Sequence, residues 1–115
     1  MKLVAAALLI SATAAADVTV PERVPILIGQ TAPIALAITE QGRTIEGTIV
    51  DVAPVAGVTL KKRRFGPGAA FEIPVHGDAT GEHVIAIRVR YWACRAHACW
   101  PVDVKVKTIA VVSDM

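Results

Sequence analysis

The sequence predicts an all-β fold: an immunoglobulin-like antiparallel β-sandwich that follows a cleaved signal peptide. Three observations carry this. Apolar and polar residues alternate along several short segments, the period of strands buried on one face. Glycine-rich turn signals recur about every 8 to 12 residues. After the N-terminus, no segment keeps the 3.6-residue apolar period of a helix.

The N-terminus reads as a secretory signal. Met1-Lys2 is followed by an unbroken apolar run, Leu3 to Ile10, and then by small residues that include Ala14 and Ala16. The run is far shorter than the ~20 residues a membrane-spanning helix needs. Cleavage after Ala16 would leave one domain, 17–115. Part of the overall 54% hydrophobic content therefore belongs to the leader. With no other apolar stretch of spanning length, the expectation is an exported, soluble, monomeric protein. The short Ala-rich form of the signal points to a bacterial periplasm.

The strands are read in chain order. Pro33 to Thr39 alternates, with Ile34, Leu36 and Ile38 on one face. Ile45 to Val50, Val58 to Lys62 and Ala70 to Val75 are shorter β-like runs. Glu82 to Trp92 is the clearest segment: Ile85, Ile87, Val89 and Tyr91 point one way, and Arg88, Arg90 and Trp92 the other. Val102 to Val112 sets Val102, Val104 and Val106 against Asp103, Lys105 and Lys107. Gly29, Gly42, Gly57, Gly66-Pro67-Gly68, Gly77-Asp78 and Gly81 supply the turns. About seven short strands fit a sandwich, although strand count alone does not separate a sandwich from a small barrel.

Several function classes find no support. A formal charge of +2 gives no electrostatic footprint for nucleic acid. The basic run Lys61 to Arg64 reads as a solvated turn. Asp51, Glu72, Asp78 and Asp103 show no paired-acid spacing, and the hydrolase and phosphate-loop motifs are missing.

The informative segment is Tyr91-Trp92-Ala93-Cys94-Arg95-Ala96-His97-Ala98-Cys99-Trp100-Pro101. The two cysteines, four residues apart, fall between two strand signals, so they can meet across a hairpin. Three readings stand at this point. One is a reducible disulfide whose exchange Arg95 and His97 promote by favouring a thiolate. The second is a passive staple on a non-catalytic binding or scaffold protein. Its six-residue ring limits the unfolded chain by only roughly 2 kcal/mol. The third is a copper or zinc site built from Cys94, His97 and Cys99.

The segment resembles the redox hairpin of the N-terminal domain of the thiol:disulfide interchange protein DsbD. Tyr91, Cys94, Cys99 and Pro101 match its Tyr-x-x-Cys lead-in and Cys-x-Pro exit, and Phe71 to Val75 resembles the strand before it. The likeness covers residues 70 to 106. It implies an immunoglobulin-like periplasmic fold and a Cys94/Cys99 pair that relays electrons between thioredoxin-like partners. The chain would then be a component of a protein-disulfide reductase, with Cys99 forming the mixed disulfide. The family shields its cysteines with an aromatic cap loop, for which Phe65 is the counterpart here. Tyr91, Trp92 and Trp100 complete the expected shielding and docking set. No cofactor and no nucleic-acid partner are expected, and no metal outside the copper or zinc reading. The chain departs from the family in a shorter, more basic cap loop and in lacking its earlier tyrosine-rich segment.

Overall fold

The structure is a computed structural model that describes residues 12–15 and 17–114. Ten strands form in chain order: β1 (Ala12–Ala15), β2 (Val18–Pro21), β3 (Arg23–Leu27), β4 (Thr31–Ile38), β5 (Thr44–Val52), β6 (Val58–Thr59), β7 (Arg64–Phe65), β8 (Ala70–Gly77), β9 (Gly81–Arg95) and β10 (Ala98–Ser113). They make two five-stranded sheets, β1-β2-β4-β8-β6 and β3-β10-β9-β5-β7. All pairings are antiparallel except β10 with β3. The expected all-β sandwich is what forms, and among the described residues no helix is long and apolar enough to cross a membrane.

The core is aliphatic and follows the alternation. Ile34 and Leu36 on β4, Ile73 and Val75 on β8, and Ile85, Ile87 and Val89 on β9 are almost wholly buried. Their β-branched and γ-branched side chains interdigitate between the two sheets. Two prolines, Pro33 and Pro74, sit opposite each other where β4 meets β8. Neither supplies a ladder N–H, yet both are tolerated. The neighbouring strands β2 and β6 pair only at the far ends of β4 and β8, so each proline is bordered by an open edge.

Strands β2 and β3 escape a pattern reading because Pro21 and Pro25 interrupt the run from Val18 to Leu27. In the structure the chain changes sheets at Glu22. Buried Thr108 donates its hydroxyl to the Pro21 carbonyl at 2.7 Å, which pins this corner to β10. Pro25 lies on the edge strand β3, where a missing N–H costs little. Two expected limits shift. Val58 to Lys62 is a strand only over β6, and Gly81 begins β9 instead of forming a turn. The expected signal peptide, 1–16, lies outside the described residues except for Ala12–Ala15, which pair with β2 at the edge of the first sheet.

Candidate functional site

The cysteines lie at the tip of the β9–β10 hairpin. This hairpin is one continuous ladder from Gly81↔Val112 to Arg95↔Ala98. Only Ala96 and His97 lie outside it, so the turn has two residues where the cysteine spacing gave four. Ala96 takes a φ of 56°, the single positive φ among the described non-glycine residues. A tight hairpin needs such a conformation because its twist must match that of the strands. Cys94 and Cys99 are consequently direct cross-strand partners, disulfide-bonded with their Cα atoms 4.0 Å apart.

Solvent reaches the two cysteines unequally. Cys94 is 7% exposed, whereas Cys99 is exposed. The sheet explains the difference. Cys94 sits on a central strand, with Thr44 of β5 directly on its other flank and donating its hydroxyl to the Cys94 carbonyl at 3.4 Å. Cys99 sits on β10, which pairs with β3 only over Ile109–Ser113. The outer flank of Cys99 is therefore bare.

A hollow of about 530 Å³ opens beside the disulfide. Arg43, Thr44 and Glu46 line it from one side, and Arg95 and His97 from the turn. The two residues expected to favour a thiolate thus do lie next to the cysteines, both exposed. The metal reading finds no further ligand: among the described residues no three His, Cys, Asp or Glu side chains converge.

The aromatic residues are distributed differently from the expectation. Trp92 is half exposed on the outer face of the second sheet, the face that carries both cysteines. It lies over Gly47, at the β-bulge of β5. Trp100 is also half exposed but pairs with buried Ala93, so it projects from the opposite face. Tyr91 is 3% exposed and belongs to the core. Phe65 is not brought to the cysteines. It pairs with Val50, six residues along β5 from Thr44, or roughly 20 Å away at the usual rise per residue. There it packs edge-on against Phe71 at 6.4 Å, with the Lys62 ammonium 5.0 Å from its ring, and closes one side of the sandwich.

Beneath the hairpin lies a buried polar cluster that no sequence motif marks. The Tyr91 hydroxyl donates to Glu40, whose side chain is only 3% exposed. Arg43 Nε stands 2.7 Å from the other carboxylate oxygen as an ion pair, and not as an aligned hydrogen bond. Burial, together with the Glu40 hydrogen bond and charge, raises the Tyr91 pKa well above its ordinary value near 10. Arg43 also lines the hollow beside the disulfide, so this cluster fixes one wall of the site.

The chain matches no protein-family model, no curated protein and no solved structure.

Proposed function

We propose that the chain is an exported thiol–disulfide exchange module, acting in the periplasm after cleavage of residues 1–16. The observation that carries this reading is the unequal exposure of the two bonded cysteines, Cys94 buried and Cys99 exposed. A staple has no need of an exposed cysteine. Exchange does, because a thiolate must approach in line with the bond it breaks.

In the reducing direction, a thiolate of a thioredoxin-like partner attacks Cys99 Sγ. The Cys94–Cys99 bond breaks, and Cys94 leaves as a thiolate that takes up a proton. The partner's second thiolate then attacks the mixed disulfide and releases Cys99. Two electrons pass from the partner, which becomes a disulfide, to the Cys94/Cys99 pair. The reverse sequence hands them on to an oxidised protein. Arg43 and Arg95 at the hollow provide positive charge where thiolate charge develops.

The test is a redox titration of the purified protein with trapping of partner adducts. Cys94→Ser is expected to hold a mixed disulfide through Cys99, and Cys99→Ser to hold far less. A potential below about −300 mV, typical of resistant structural bonds, with no adduct from either variant, would overturn the reading and leave a structural staple.

A further inference from the structure

We propose that a basic groove on the outer face of the second sheet docks a carboxylate-rich segment of a polypeptide partner. The groove, of about 670 Å³, is lined by Arg63, Arg64, Arg88, Lys105 and Lys107 against a single acid, Asp51.

The acids already present are spent within the fold. Asp51 accepts from both Arg64 and Arg90, and Asp103 accepts from Arg88. Arg63, Lys105 and Lys107 form no ion pair among the described residues. The ladder also sets Lys105 directly opposite Arg88. Asp103, bonded to Arg88, and Asp51, opposite it on β5, offset that like-charge contact, so the cations left without a partner are Arg63, Lys105 and Lys107. An anionic ligand would pair with these three.

A near-neutral total hides this local excess of positive charge. A local excess of positive charge of this kind steers an acidic partner toward the groove. The run Lys61 to Arg64 is more than a solvated turn, since two of its arginines form part of the groove wall.

The floor selects the class of ligand. Ala53, Pro54 and Ala86 are small, apolar and exposed, which leaves room for an extended backbone with short side chains. No aromatic ring lines the groove to stack a base, the usual platform for single-stranded nucleic acid. The groove also shares the outer face with Cys99. Arg90, Trp92 and Cys94 continue the outward-facing row of β9 from Arg88. If the exchange reading holds, on which this assignment rests, the acidic segment belongs to the protein that exchanges disulfides with Cys99.

The test uses a labelled ten-residue Glu/Ala peptide without cysteine, titrated into the purified protein and followed by fluorescence anisotropy. A Lys/Ala peptide is the control. Saturable binding of the acidic peptide is expected, weakened at least tenfold by Lys105→Glu with Lys107→Glu and suppressed by high salt, with no binding of the control. Asp51→Asn removes the one acid in the groove and is expected to tighten binding about twofold. No binding of the acidic peptide would overturn the proposal. So would equal binding by the double variant with its circular dichroism unchanged, or tighter binding of a single-stranded oligonucleotide or anionic vesicles. Because the peptide has no thiol, its binding is read independently of exchange: peptide binding together with failure of the redox titration and adduct trapping would overturn the redox reading alone and leave the docking site standing.

Discussion

The Tyr91 hydroxyl donates to the carboxylate of Glu40, fifty-one residues earlier in the chain, at a depth that leaves the Glu40 side chain 3% exposed. This bond ties the β4–β5 connection to the central strand of the second sheet, directly below the cysteine hairpin. A buried carboxylate is tolerated only with its partners in place. Tyr91→Phe removes one of them and is expected to destabilise the protein by about 1–3 kcal/mol, measured as a lower urea midpoint. Glu40→Gln in the Tyr91→Phe background should recover part of the loss, because the uncompensated charge is then gone.

The same pair sets an alkaline limit. The folded-state pKa of Tyr91 is raised above its unfolded value near 10. Its contribution is therefore complete below pH 10 and falls as pH rises beyond it, when the unfolded chain ionises and the folded one resists. Stability measured between pH 9 and 11.5 should decline above about pH 10 in the wild type. Tyr91→Phe should flatten that decline.

The acid limb has the opposite sign. Arg64 and Arg90 hold the Asp51 carboxyl below its ordinary value, and Arg88 does the same for Asp103. A depressed folded-state pKa gives stability that is present above the unfolded value of about 3.9 and is lost as pH falls through the folded one. Both carboxylates are solvent-facing, so the effect is small and screened by salt. Asp51→Asn with Asp103→Asn should give a shallower fall of the urea midpoint below pH 4 than the wild type shows.

Gly66 is the least replaceable turn residue. Its φ is 143°, and an added Cβ would lie 2.0 Å from the Thr48 carbonyl oxygen, a backbone atom that cannot swing aside. Thr48 belongs to the bulged stretch of β5, between the paired residues Glu46 and Ile49. Gly66→Ala is expected to cost about 3 kcal/mol or more, which calorimetry would register as a Tm roughly 10–20 °C lower. Gly42→Ala is the control: an added Cβ there meets nothing within 4 Å, and only the cost of its positive φ remains.

The parts of this fold that could be read from sequence are those where one physical rule acts alone. β9 and β10 alternate so regularly that both faces are correct residue by residue, down to Tyr91 inward and Trp92 outward. β2 and β3 could not be read because their prolines are acceptable only at a sheet corner and on an edge, which are tertiary facts. At the site, the pairing of Cys94 with Cys99 and the nearness of Arg95 and His97 follow from local chain distance. The bare flank of Cys99 does not, since it depends on β3 stopping short of it. Nor does the place of Phe65, because an aromatic residue in a glycine-rich turn reads the same whether it covers a disulfide or closes a core. The basic groove is invisible to a net count. It arises only when β5, β7, β9 and β10 lie side by side.

Trp92 offers the sharpest test of how a partner meets the disulfide. It stands on the same outer face as both sulfurs, two residues before Cys94 and paired with Pro101, and about half of it is exposed. Trp100 is equally exposed on the opposite face. If a protein partner docks over Cys99, it buries Trp92 and leaves Trp100 in water. Large rings at the centre of an interface carry much of its binding energy, and truncating one commonly costs more than about 1.4 kcal/mol, or tenfold. Trp92→Ala is therefore expected to slow disulfide exchange with a thioredoxin-like protein about tenfold, while Trp100→Ala changes it less than twofold. A small thiol makes no such interface, so its rate with Trp92→Ala should stay within twofold of wild type. Equal slowing by both tryptophan variants would place the docking surface elsewhere, and a parallel change with the small thiol would mean that Trp92 acts on the disulfide itself.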